Sequence, residues 1–186
     1  KRPKFNPLIV HYFNYKHAEK EVILNDSFFK LYKKFCPGPI SFVLKLKRNS
    51  CISKNVTNNN KSIAVRFPSH KLTRNLLKVL KYPLAAPSAN LSKQLSPVSK
   101  SDVVEEFGKK IKFVLDGGQS KVGVESTIVS LIGKPKILRL GGIERKLIEK
   151  FLINKNEVKY KKKKIVVPGQ CKVHYSPGIP IRLNVK

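Results

Sequence analysis

The sequence predicts an α/β fold, a twisted mixed sheet with flanking helices, and three observations carry that prediction. Short apolar runs of strand length alternate with stretches whose apolar residues recur at helical spacing. Gly, Pro, Asn and Asp punctuate the junctions. Several apolar runs also end in turn-forming or charged residues, so the active face is expected where those strand ends converge.

Taken in order, Leu8-Ile9-Val10-His11-Tyr12 follows Asn6-Pro7 and is strand-like. Asp26 or Ser27 is placed to cap a helix on which Phe28, Leu31, Tyr32 and Phe35 share a face, and Cys36-Pro37-Gly38-Pro39 stops it. Those aromatics are expected in the core. Residues 41–47 alternate, with Phe42, Leu44 and Leu46 on one side. The polar stretch 48–61 reads as a loop before a strand ending at Arg66. Ser69 is placed to cap a second helix with a stripe of Leu72, Leu76, Leu77 and Leu80. A strand at 84–86 follows. Ser99 or Ser101 then starts a helix carrying Asp102, Glu105 and Glu106 near its N-terminus, where the helix dipole favours acids. Phe113-Val114-Leu115 runs into the turn Asp116-Gly117-Gly118. Residues 126–132 form a strand joined through Gly133-Lys134-Pro135 to one ending at Arg139, and 144–152 form a last helix with Leu147, Ile148 and Phe151 inward.

Composition bounds the class. Of 186 residues, 41% are hydrophobic and 27% charged, which is globular and not disordered. No run approaches the ~20 apolar residues of a membrane span, and no signal-peptide core begins the chain, so a cytoplasmic protein without membrane partners is expected. Cys36, Cys51 and Cys171 are dispersed, as are His11, His17, His70 and His174, and neither set has metal-ligand or disulfide spacing. Lys and Arg number 39 against 11 Asp and Glu, a net charge of +28. That excess favours RNA as a partner and ATP as a substrate, with lysine-loading codon bias as the competing account. There is no Walker loop and no dinucleotide fingerprint, so a nucleotide must be held another way.

The sequence has no methionine and begins at Lys1, so it is expected to be a fragment. The expected division is a catalytic domain over 1–153 lacking its N-terminal segment, a basic linker over 154–180, and the start of a truncated second domain over 181–186. The linker contains the lysine run of 159–164 and the Gly/Pro-rich stretch 168–180.

Two features point to chemistry. Leu84-Ala85-Ala86-Pro87-Ser88-Ala89-Asn90 ends a short strand in small residues followed by a hydroxyl and an amide two positions apart, a turn able to approach a polar ligand closely. Arg66 and Arg139 each end an apolar strand in a lysine-rich chain, which suggests planar forks aimed at carboxylate or phosphate.

With these stand Arg2-Pro3-Lys4-Phe5-Asn6-Pro7, Cys36-Pro37-Gly38-Pro39-Ile40-Ser41, Ala64-Val65-Arg66-Phe67-Pro68-Ser69-His70, Asp116-Gly117-Gly118, Glu125-Ser126-Thr127 and Leu138-Arg139-Leu140-Gly141-Gly142. In this order the motifs resemble the YrdC-like family, the threonylcarbamoyl-adenylate synthases, over residues 1–145. The stretch from Val167 to Pro177 resembles the linker of two-domain members. The resemblance implies a YrdC-like sheet around a concave basic cleft. It also implies a nucleotidyltransferase that makes threonylcarbamoyl-AMP and pyrophosphate from L-threonine, bicarbonate and ATP, with Mg²⁺ expected beside the triphosphate, for threonylcarbamoyladenosine modification of tRNA. By motif, it places Arg2, Asn6, Ser62, Ser88, Asn90, Ser96, Arg139, His174 and Tyr175 at ATP. It places His11, Arg66, Ala86 and Ser126 at threonine. No metal-ligand set is implied, and the proteins that transfer the threonylcarbamoyl group to tRNA are the expected partners.

Departures are visible too. The family's Lys-x-Arg-Pro has Lys1 at its middle position, so the motif lysine is absent, as is the upstream threonine-binding segment. Arg139-Leu140-Gly141 stands where Arg-Pro-Gly is usual. The chain by itself is therefore expected to be inactive or much weakened. The alternative reading is a non-catalytic module for double-stranded RNA or tRNA. A carbamoyl-transfer domain of a hydrogenase-maturation protein shares the fold but would need partner domains this sequence does not show.

Overall fold

The computed structural model describes residues 7–92 and 94–152. Arg2, Asn6, His174 and Tyr175, the linker over 154–180, the segment 181–186 and Cys171 lie outside the described residues.

The elements run β1 (Ile9–His11), α1 (Tyr15–Ala18), α2 (Asp26–Phe35), β2 (Ile40–Lys45), α3 (Lys54–Thr57), β3 (Ser62–Arg66), α4 (Lys71–Val79), β4 (Leu84–Ala86), α5 (Lys100–Phe107), a 3-10 turn at Gly108–Lys110, β5 (Thr127–Ser130), β6 (Lys136–Arg139) and α6 (Arg145–Phe151). The strands form one six-stranded sheet in the order β4-β1-β3-β2-β5-β6. It is mixed: β1 with β3 and β2 with β5 are parallel, and the other three pairings are antiparallel. The α/β expectation holds.

Strand alternation gives the sheet two unlike faces. One carries Val10, Tyr12, Phe42, Leu44, Val65 and Phe67, which pack with Phe28 and Leu31 of α2 and Ile148 of α6 into the main core. Phe28 meets Phe42 edge-on at 5.1 Å between ring centres, and Tyr32 meets Phe67 at 4.9 Å, offset geometries that ring quadrupoles favour. The aromatic face predicted for α2 therefore builds the core. Among the described residues, the opposite sheet face holds a small cluster of Ile9, Val43, Ala64 and Ile128 with Leu138, which no helix residue joins. That face is left to serve as the floor of a site.

The helix caps differ from expectation by one residue. Asn25, not Asp26 or Ser27, accepts from the Phe28 N–H at 2.9 Å, and His70, not Ser69, accepts at Nδ1 from Thr73. Any side-chain acceptor on the last extended residue can do this work, so neighbouring polar residues compete for it. Ser99 does cap α5, in a reciprocal capping box with Asp102, whose pKa is lowered chiefly by the Ser99 side chain. The loop expected over 48–61 contains α3, capped by Ser53. Along α4 only Leu77 is buried, while Leu72 and Leu76 are exposed, so its predicted stripe meets the described chain over a single turn. In α6 Ile148 is buried but Leu147 is exposed, and Phe113 and Leu115 lie exposed outside any strand. Among the described residues no helix is long and apolar enough to cross a membrane.

Candidate anion-binding site on the open sheet face

Residues paired in register on adjacent strands point to the same face. His11 pairs with Leu84 of β4 and with Arg66 of β3, Arg66 with Ser41 of β2, Ser41 with Ile128 of β5, and Ile128 with Arg139 of β6. A single row thus crosses the whole sheet, Leu84, His11, Arg66, Ser41, Ile128, Arg139, on the face of the small cluster. The next row on that face is Ala86, Ile9, Ala64 and Val43, in which small side chains leave room above the floor.

β6 reaches this row through an irregularity. Ile128 pairs with Arg139 but Val129 pairs with Ile137, so Leu138 is an extra residue, the signature of a bulge that re-aims the side chain beside it. Arg139 then grips the turn before β5: Nη2 and Nε donate to the Ser126 carbonyl at 2.8 and 3.2 Å, and Nη2 reaches Ser126 Oγ at 3.2 Å. Ser126 Oγ also shares a hydrogen bond of 2.8 Å with Ser41 Oγ, and both serines are buried.

The glycines after β6 hold that turn. Gly142 N–H donates to the Glu125 carbonyl at 3.0 Å, and Thr127 Oγ1 exchanges hydrogen bonds with Ile143 O and N at 2.9 and 3.0 Å. A Cβ on Gly141 would fall onto the Glu125 carbonyl oxygen and within 2.6 Å of Ser126 C and Thr127 N. Only glycine lets the two backbones approach this closely.

Arg66 is the most telling side chain of the row. The residue is half-buried, and its Nε–H, shut away from solvent, has no hydrogen-bond partner among the described residues. Burial, and then the positive charge of Arg139, pull its pKa below the usual range. Burying a cation with an unused donor beside a second cation is costly unless an anion binds there. His11 has its pKa lowered to about 4, by burial first and by Arg66 second, so its ring is neutral near pH 7. Its Nδ1 lies 3.3 Å from the Leu84 carbonyl, which can only accept, so the ring proton sits on Nδ1 and Nε2 keeps a lone pair.

The other predicted residues fall as follows. Ala86 is in the second row, and Ser62 is on the same face at the other end of β3 from Arg66, paired with Lys45. Ser88 is exposed in the loop after β4. Asn90 Nδ2 staples that loop through the carbonyls of Leu91 and Gln94, at 2.8 and 2.9 Å, and its buried Oδ1 has no partner among the described residues. Ser96 Oγ donates to Glu125, which joins the Ser88–Ser96 loop to the Ser126 turn. The structure therefore brings His11, Arg66, Ser126 and Arg139 together, with Ala86 in the neighbouring row, and sets Ser62 at the far end of β3. Sequence reasoning did not single out Ser41 or Glu125 as site residues. Ser41 is a hydroxyl opening an otherwise apolar strand, and Glu125 is a rare acid beside Ser126; both signals are readable.

With this geometry in view, the comparisons are specific. The family model Sua5_yciO_yrdC, described as Telomere recombination, matches residues 1–141. The chain is 35% identical over 188 residues to the threonylcarbamoyl-AMP synthase of Pyrococcus abyssi, covering 97% of this chain and 54% of that protein. It is also 35% identical over 193 residues to the threonylcarbamoyl-AMP synthase of Bacillus subtilis, covering 98% and 54%. A crystal structure of P. abyssi Sua5 complexed with L-threonine superposes with a TM-score of 0.87 at 34% identity, over 95% of this chain and 53% of that one. The chain spans about half the length of these relatives.

Proposed function

The chain belongs to the Sua5/YciO/YrdC family, and on that premise we propose that it holds L-threonine and ATP for the synthesis of threonylcarbamoyl-AMP and pyrophosphate from L-threonine, bicarbonate and ATP. The observation that carries this reading is the cross-sheet row in which Arg66, half-buried with an unused, solvent-shielded Nε–H, stands near the charge of Arg139. Such a pair is organised for anions before any arrive, and threonine's carboxylate and ATP's phosphates are the anions of this reaction.

The threonine amine adds to bicarbonate, water leaves, and a carbamate forms. One carbamate oxygen then attacks the α-phosphorus of ATP, and the bond to the pyrophosphate oxygen breaks, which makes the step a nucleotidyl transfer. Arg66 forks the threonine carboxylate. Neutral His11 accepts at Nε2 from the threonine hydroxyl or amine, and Ser126 Oγ, fixed by Ser41 and Arg139, supplies a further polar contact. Ala86 and Ala64 leave space for the substrate backbone. Arg139 offsets phosphate charge, with Ser62, Ser88, Asn90 and Ser96 lining the nucleotide side; Arg2, Asn6, His174 and Tyr175 join that set by motif alone. Catalysis here is positioning and charge stabilisation. Mg²⁺, where it takes part, would be held largely by the triphosphate's own oxygens and would offset their charge. The product is handed on in the cytoplasm to proteins that transfer the threonylcarbamoyl group to tRNA.

Calorimetric titration of this chain with L-threonine tests the reading. Arg66→Ala is expected to weaken threonine binding by at least about a hundredfold, with Arg66→Lys intermediate because one point charge replaces a bidentate fork. Unchanged threonine binding in Arg66→Ala would remove the basis for the assignment.

A further inference from the structure

We propose that Glu125 is a further residue of the nucleotide site, a carboxylate that contends with the nucleotide's phosphates for the Ser96 hydroxyl and so sets their affinity. The proposal rests on the reading above, in which Ser96 lines the nucleotide side. A chain with 39 Lys and Arg against 11 Asp and Glu spends one of its few acids on the residue next to Ser126.

Ser96 Oγ donates to Glu125 Oε1 at 2.5 Å, and both residues are half-buried. A serine hydroxyl has one proton to give, and ionised phosphate and carboxylate oxygens only accept. Ser96 therefore cannot donate to Glu125 and to a phosphate at once. Two oxygens that contend for one hydroxyl, each about 2.7 Å from it, stand within about 5 Å of each other. Even in bulk water, unit charges about 4 Å apart repel enough to change an affinity about fivefold. Glu125 opposes a phosphate at Ser96 both as a rival acceptor and as a like charge.

Both sides of this contact are anchored by their backbones. The Glu125 carbonyl accepts from Gly142 N–H at 3.0 Å, and Thr127 N–H, two residues on, donates to Pro39 O at 3.0 Å. Gly141 lies so close to the Glu125 carbonyl that the turn has no slack. Across the contact, Asp102 Oδ2 accepts from the N–H groups of Val98 and Ser99 at 2.8 and 3.0 Å, and Val98 O accepts from Ser120 N–H at 2.7 Å. Ahead of Ser96, Leu91 N–H donates to Glu106 Oε1. Two fixed segments thus face each other and a glutamate side chain spans the gap. Rotation about its own staggered bonds releases Ser96 without moving either backbone.

The test is calorimetric titration of this chain with ATP in EDTA, so that no divalent cation screens the two anions, with L-threonine titrated beside it as the check on folding. Glu125→Gln removes the charge and keeps an acceptor of the same shape; it is expected to raise ATP affinity at least about threefold and to leave threonine affinity within about twofold. Pyrophosphate should show the same gain, and adenosine, which carries no phosphate, should bind both proteins alike. Glu106→Gln makes the same change in net charge on the acid that holds the other part of the loop, and should alter ATP affinity by less than about twofold. Lower ATP affinity in Glu125→Gln would mean that the acid organises the loop for the nucleotide, and the proposal falls. It falls equally if Glu106→Gln gains as much or if adenosine gains as much as pyrophosphate. Should Glu125→Gln lose threonine binding, Glu125→Asp takes its place, with a carboxylate one methylene short of Ser96 Oγ; a gain in ATP affinity below about twofold there overturns the proposal. ATP that binds wild type and Glu125→Gln equally removes the role of Glu125 alone, whereas ATP that binds neither removes the nucleotide reading and this proposal with it.

Discussion

Acid should destabilise this fold through one imidazole. His11 has a folded pKa of about 4 against the ordinary 6.5, because burial and the Arg66 charge both penalise the protonated ring. Between those values the unfolded chain binds a proton that the folded chain refuses, so stability falls as pH drops from about 6.5 towards about 4. A shift of roughly 2.5 units corresponds to about 3 kcal/mol over the full window, of which about 2 kcal/mol is lost between pH 7.5 and pH 5. The assay is urea unfolding of the wild type and of His11→Asn at those two pH values. Carboxylates titrate alike in both proteins, so the difference between their pH dependences isolates the imidazole. The expected result is that the wild type loses about 2 kcal/mol more than the variant on acidification. An NMR titration of the His11 ring should find its midpoint near 4, and Arg66→Met should move it upward by removing the second cause. Parallel pH profiles in the two proteins, together with a ring midpoint near 6.5, would refute the claim that this face keeps His11 neutral.

Gly141→Ala is expected to cost more than about 2 kcal/mol in thermal or urea unfolding, because its methyl group meets backbone atoms of residues 125–127 that no rotamer change can move. The same variant should weaken threonine binding, since the displaced turn carries Ser126. Ser99→Ala should cost about 1 kcal/mol by leaving the first turn of α5 without its capping box, and leave threonine affinity unaltered. A Ser99 variant that lost threonine binding, or a Gly141 variant as stable as wild type, would contradict the geometry described for the site.

The site residues that the sequence made legible are those whose chemistry clashes with their surroundings. Arg66 and Arg139 end apolar strands, His11 ends another, and Ser126 opens a fourth; a polar or charged group at the mouth of a buried strand is visible in one dimension. The helix caps were legible to within a residue, and errors there arose because Asn25 beside Asp26 and His70 beside Ser69 offer equivalent acceptors. The exposed stripe of α4 was not legible, because periodicity states which face is apolar and not whether another element meets it. Ser62 and Arg66 lie on one strand and one face, yet strand rise sets them about 13 Å apart, a separation that motif order does not convey.

Local interactions determined by themselves that the chain alternates strands and helices, where those elements stop, and that its surface is strongly cationic, since each depends on neighbours a few residues away. Tertiary structure alone decided that His11, Arg66, Ser41 and Arg139 stand in one row, because register between strands distant in sequence is set by which face each buries against α2 and α6. It also decided that, among the described residues, no helix residue joins the apolar cluster on the other face, and it set the charge state of His11, which follows first from burial and then from a guanidinium on another strand.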